Sequence, residues 1–108
     1  MIYEKRTYRC APGRMSEVLH RFEHVVLALW QRHGYRPVGF WTELIGDDSR
    51  QLHYLLQWND LAQREACNRT FGADPEWLEA RTRTDADGPL VEKVSTTILA
   101  PTAFSPLQ

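Results

Sequence analysis

Glu4, Arg6 and Tyr8 fall on every second position of the opening stretch IYEKRTYRC, so in an extended chain a carboxylate, a guanidinium and a phenol share one face. If that face is covered, the two charges must pair or find hydrogen bonds, because an isolated ion in a dry interior costs several kcal/mol or loses its charge. Two roles meet that demand. One is a structural ion pair; the other makes Arg6 an anchor for an anionic or carbonyl oxygen, with Glu4 orienting it.

A second stretch, QLHYLLQW, sets His53, Leu55 and Gln57 on one face of a strand and Leu52, Tyr54, Leu56 and Trp58 on the other. Strand register decides its meaning. With His53 beside Glu4 and Arg6 the chain would enclose an acid–base pair; in the other register His53 is a hydrogen-bonded core histidine. His33 stands just before Gly34, where an imidazole caps the last carbonyls of a helix or serves as acid or base at a pocket rim. The candidate catalytic residues are thus Glu4, Arg6, His33 and His53. Tyr8, Trp41, Tyr54 and Trp58 are the candidate substrate-binding residues, since each joins bulk to an N–H or O–H that needs a partner when buried, although aromatic side chains also simply pack.

The segment HRFEH, His20 to His24, fits the H-x-x-E-H pattern of inverted zinc peptidases. With Phe22 at the centre of an apolar helix face, both histidines lie roughly 160° away, toward solvent. A catalytic zinc needs a third protein ligand and a shaped cavity, so no metal site is expected. No P-loop, dinucleotide fingerprint or nucleophile elbow is present, and no cofactor is expected from the residues.

The elements that must hold these residues follow from periodicity. IYEKRTYRC alternates at period two and reads as a strand. Met15, Val18, Leu19, Phe22, Val25, Val26, Leu29 and Trp30 then recur at helical spacing from about Arg14 to His33. YRPVGFWTELI and QLHYLLQW form two strands joined across GDDSR, and should pair antiparallel. Asp60 with Gln63 opens a second helix, which breaks near Gly72 and restarts at Asp74-Pro75. LVEKVSTTILAP is a fourth strand, before a proline-bearing tail.

The order β-α-β-β-α-β is the ferredoxin-like α+β arrangement, a four-stranded antiparallel sheet with two helices on one face, in a single domain over residues 1–108. Tyr3, Phe40, Trp41, Leu55 and Ile98 spread over both sheet faces, so the uncovered face is expected to meet a second copy in a homodimer.

The 108 residues carry 13 basic and 14 acidic side chains, which removes the electrostatic footprint of a nucleic-acid partner. Cys10 and Cys67 form no CxxC pair and read as free thiols. The N-terminus lacks the apolar run of a signal peptide and VVLALW is too short to span a bilayer, so no membrane span and a cytoplasmic location are expected.

Four stretches, MIYEKRTYRCAPGR, RHGYRPVGFWTELIG, DPEWLEA and LAPTAFSPL, together resemble the NIPSNAP family, and the resemblance runs over nearly the whole chain. It implies a dimeric α+β barrel. Lys5 departs from the pattern, placing a charge where the family more often has an apolar residue. Two functional readings follow. In one, the sheet–helix cleft binds a small carbonyl or aromatic molecule and catalyses a cofactor-independent isomerisation, elimination or oxygenation, as related dimeric α+β barrel enzymes do. In the other, the chain is a non-catalytic dimeric binding or interaction module. Haem on a histidine, used by some relatives of this fold, is a third implication.

Overall fold

In a computed structural model describing residues 1–108, the sheet is built on β1 (Ile2–Cys10). This strand pairs antiparallel with β3 (Gln51–Trp58) on one side and β4 (Val91–Leu99) on the other, and β2 (Arg36–Thr42) completes the order β2-β3-β1-β4. The architecture is the expected ferredoxin-like α+β fold. Because β1 is central, its inward side chains have neighbours on both flanks, and the polar alternation Glu4, Arg6, Tyr8 is carried into the middle of the molecule.

The first helical segment is predicted as one α-helix. It runs instead as α1 (Met15–Arg21), a π-helical stretch Phe22–Val26, and α2 (Leu27–Arg32). The Leu27 N–H reaches the Phe22 carbonyl, an i to i−5 bond that widens the turn. Neither glycine nor proline interrupts this stretch. What holds it is packing: the Phe22 ring lies 5.4 to 5.7 Å from those of Tyr8, Trp30, Phe40 and Tyr54. A strictly periodic reading could not see it.

Gly34 closes the helix as expected, at φ 86°, with the Tyr35 N–H donating to the Trp30 carbonyl at 2.9 Å as in a Schellman stop. In α3 (Leu61–Gly72) Asp60 accepts from the Gln63 N–H at 2.8 Å, while the Gln63 side chain reaches back to the Asn59 N–H, one residue before the usual capping-box partner. The helix breaks at Ala73. Asp74 then caps α4 (Pro75–Thr84) by accepting from the Glu76 N–H, with proline in the favoured first turn.

Register settles which side chains share a face. Arg6 pairs with Tyr54 and Glu4 with Leu56, so both belong to the helix-covered face along with Tyr8, Phe40, Trp58 and Ile98. Thr7 pairs with His53, which pairs in turn with Trp41, and these lie on the open face with Lys5, Gln57 and Thr97. The open face is more polar than its aromatic content suggests. Phe40 and Ile98 are on the other face, Ile98 remaining exposed there, and Tyr3 is buried beneath the C-terminal residues, its hydroxyl donating to the Gln108 carbonyl at 2.8 Å.

The Gly34 stop is testable because a Cβ is strained at its positive φ. Gly34→Ala is expected to lower stability by about 1–2 kcal/mol in urea unfolding, without changing the m-value.

Candidate functional site

Glu4 has no exposed surface, yet each of its oxygens accepts two hydrogen bonds. Oε1 receives Trp58 Nε1–H at 2.9 Å and Arg64 Nε–H at 3.0 Å; Oε2 receives Arg6 Nε–H at 2.7 Å and Arg64 Nη2 at 3.1 Å. Burial alone would raise its pKa. The hydrogen bonds from Arg64 and Arg6, Arg6's charge and Trp58 outweigh that and hold the carboxyl below its ordinary value. Glu4 therefore stays ionised.

Arg6 spends further N–H groups on the Tyr54 hydroxyl at 3.2 Å and on Asn68 Oδ1 at 3.4 Å, and Asn68 is held in turn by the Tyr35 hydroxyl. Burial opposes the guanidinium charge, but Tyr54 and Glu4 beside it raise its pKa overall, so it is always cationic. Burial pushes the Tyr54 phenol far above its usual range and Tyr35 up to about 12. Both are neutral donors at physiological pH. A guanidinium has five donors, so Arg6 keeps N–H groups with no acceptor in the protein.

Beside Arg6 lies a cavity of about 60 Å³ between sheet and helices. Its walls are apolar and aromatic, from Phe22, Val26, Trp30, Phe71 and Trp77, and its polar groups are Arg6, Tyr8 and Arg21. Arg21 is a buried arginine from the end of α1. It donates to Thr84 Oγ1 at 3.1 Å and Asp85 Oδ1 at 3.0 Å, and its guanidinium sits 5.3 Å from the Trp77 ring centre. The π-helical stretch begins at the next residue, and both of its buried side chains, Phe22 and Val26, line the cavity.

The structure brings together Glu4, Arg6, Tyr8 and Tyr54 from the sequence-derived set. Trp58 joins them through Glu4 rather than at the cavity. Three residues do not join. His53 and Trp41 are on the opposite face, because Thr7 rather than Arg6 is the partner of His53 across β1 and β3. His53 lies 3.2 Å from Thr7 Oγ1 and 3.1 Å from Glu43 Oε2. The Trp41 indole lies over Gly39, where a Cβ would come within 2.7 Å of the ring. His33 sits outside the cavity at the helix junction, 2.6 Å from Asp74 Oδ2 and 3.2 Å from Thr70 Oγ1. That string resembles a catalytic triad in composition, but the Thr70 hydroxyl donates to the Cys67 carbonyl and the residue is exposed. It ties the end of α2 to the cap of α4.

Sequence reasoning missed Arg21, Tyr35, Arg64 and Asn68. Arg21 hides in the apolar stripe of its helix, next to Phe22, and only that adjacency could have flagged it. α3 has no buried residue, so nothing in its pattern shows that Arg64 and Asn68 reach the β1 charges. His20 and His24 are exposed with ring centres 4.2 Å apart, and no group of three or more His, Cys, Asp or Glu gathers where it could hold a metal.

The NIPSNAP family model matches residues 3–106. The chain belongs to the NIPSNAP family. It is 28% identical to Protein NipSnap of Drosophila melanogaster and 29% identical to Protein NipSnap homolog 1 of Danio rerio, in each case over 99% of this chain. The NIPSNAP domain described here spans only 37% and 36% of those two relatives' lengths. A NIPSNAP family protein of unknown function from Agrobacterium tumefaciens superposes with a TM-score of 0.87 at 29% identity, over 100% of this chain and 94% of that one. An antibiotic biosynthesis monooxygenase, with a TM-score of 0.61 and 11% identity over 94% of this chain and 99% of that one, shares the fold.

Removing the Glu4 charge should destabilise this NIPSNAP domain. Glu4→Gln is expected to cost about 3–5 kcal/mol in urea unfolding, because it leaves Arg6 buried without its counter-charge. Arg64→Met, at the wetter rim, is expected to cost about 1 kcal/mol. The sign of the pH dependence follows from the lowered carboxyl pKa. Glu4 contributes fully above the ordinary glutamate range, and the contribution is lost as pH falls through the lower folded value. Glu4→Gln should therefore show a shallower acid limb in its stability–pH profile than wild type.

Proposed function

We propose that the cavity beside Arg6 binds a small carbonyl-bearing or aromatic molecule, and that the domain acts on it without a cofactor by stabilising negative charge on the ligand's oxygen. The observation that carries this reading is Arg6 itself: a guanidinium clamped on buried Glu4, with spare N–H groups beside an aromatic-walled cavity. Preorganised donors in a site poor in water are the usual means of holding a developing oxyanion.

The same geometry narrows the chemistry. Isomerisation and elimination begin with proton removal by a protein base. Glu4 is a weak one, with every lone-pair direction occupied and a lowered pKa, and neither His33 nor His53 reaches the cavity. Oxygenation of an already acidic phenol or enol asks the protein only to hold the anion. Such a reaction balances as phenol plus dioxygen giving quinone plus water, with dioxygen as the oxidant. That is the reaction class the site suits best.

The second reading, a non-catalytic dimeric module, is favoured by the cavity's size: about 60 Å³ is far below the several hundred Å³ usual for a ligand pocket. Retained ligand separates the two. Native mass spectrometry of freshly purified protein is expected to show a bound small molecule that is lost in Arg6→Met. The variant should stay folded, since Arg64 and Trp58 still satisfy Glu4. Ligand-free wild type together with a collapsed melting temperature in Arg6→Met would favour the module.

The homodimer by open sheet faces belongs to this reading. Its support is exposed apolar surface on that face, Trp41 at 52% and Leu99 at 42%. Sedimentation at micromolar concentration should give twice the 12.6 kDa chain mass; a clean monomer would remove the barrel. The free thiols of Cys10 and Cys67 fit a reducing compartment such as the cytoplasm, and no helix is long and apolar enough to cross a membrane.

A further inference from the structure

Trp30 is 2% exposed and lines the cavity, and its indole N–H has no hydrogen-bond partner. Buried indole N–H groups normally find an acceptor, and leaving one unpaired is costly. The other polar groups on the wall, Arg6, Arg21 and Tyr8, can all donate, and no carboxylate lines the cavity. Charge has the same sign. Glu4 is shared by Arg6 and Arg64, which leaves one positive charge in excess around it.

Tyr8 and Arg21 also line a second, outer basin of about 320 Å³ over the exposed helix-side surface of β4. Its two acids are both engaged by arginines, Asp85 by Arg21 and Glu92 by Arg50, while Arg81 and Lys93 have no ion-pair partner. Inner cavity and outer basin therefore share a wall, and both have a surplus of cationic groups. The inner cavity, about 60 Å³, is far smaller than a whole-ligand pocket and suits a head group such as a carboxylate.

We propose that the two compartments form one site for a small organic carboxylate. Its head group lies in the inner cavity, accepting from the Trp30 indole N–H, Arg6 and Arg21, and its body extends over Val94 toward Lys93 and Arg81. This rests on the reading of the cavity as a small-molecule site and adds the class of ligand. Arg21, which bounds both compartments, is then the specificity-determining residue.

The test is an NMR titration of the four tryptophan indole N–H resonances, with Trp30 assigned by Trp30→Phe. Phenylacetate is the probe and phenylacetamide its neutral isostere. Phenylacetate is expected to shift the Trp30 resonance and to bind at least tenfold tighter than the amide, an advantage that shrinks about tenfold in Arg21→Gln. Should Arg21→Gln fail to fold without its Asp85 pair, Lys93→Gln on the exposed rim is expected to weaken phenylacetate about threefold and leave the amide unchanged. Equal binding of acid and amide would overturn the carboxylate assignment while leaving the small-molecule site standing. A Trp30 resonance unmoved by either probe at millimolar concentration would overturn the two-compartment site, and the retained-ligand measurement would then judge the cavity reading separately.

Discussion

A carboxylate with no exposed surface sits on the central strand of this sheet, and much else is arranged to keep it charged. Glu4 could not stay ionised in an apolar interior by itself; the alternative to protonation is a shell of donors. Supplying that shell fixes several distant parts of the chain. Trp58 must end β3 with its indole aimed at β1, Arg64 must stand on the inward side of α3, and Arg6 must turn back along its own strand. One buried charge thus sets strand register, helix placement and the orientation of the Arg6 guanidinium beside the cavity.

The two arginines on Glu4 divide the work. Arg64 approaches with Nε and Nη2 together, a bidentate contact that satisfies both carboxylate oxygens. Arg6 gives only its Nε, so its two terminal nitrogens project past Glu4 toward Tyr54 and Asn68. Had Arg6 made the bidentate contact, one of its terminal nitrogens would be turned onto Glu4, leaving fewer donors for Tyr54, Asn68 and the cavity. The division also explains how a site can rest on a structural ion pair: Glu4 holds Arg6, and Arg64 keeps Glu4 paired.

How far the sequence revealed this depends on the range of the interaction. Element order, helix caps and the Gly34 stop are local and were legible, because Asp60, Asp74 and Gly34 act within a few residues of themselves. Glu4, Arg6 and Tyr8 were legible as one face because a strand alternates. Their partner face was not, since His53 and Tyr54 are adjacent in sequence and only register chooses between them. The π-helical stretch was illegible for another reason. Phe22 holds it by packing against rings from β1, β2, β3 and α2, and no pattern within Phe22–Val26 encodes those contacts. Arg21 was lost with it, a charged residue in an apolar stripe whose partner, Asp85, is 64 residues away.

The same register gives the open face its character in the proposed dimer. Lys5, Thr7, His53 and Gln57 put polar groups along the two central strands, with Leu55 directly opposite Lys5, and with Tyr3 between Gln57 and Leu99 close to the C-terminal residues. Pressing two such faces together would strip water from Lys5, a charge that no acid of its own chain pairs. Desolvating an unpaired ammonium costs more than the surrounding apolar contacts return. The interface would therefore keep water, or an acid from the second copy, beside Lys5. His53 is already engaged by Glu43 and Thr7, so it can enter such an interface with its ring nitrogens satisfied. That accounts for a histidine on this face without giving it a catalytic role, and it places the polarity of QLHYLLQW on two sides of one strand: tyrosine and tryptophan serving the Glu4–Arg6 network, histidine and glutamine serving the face opposite.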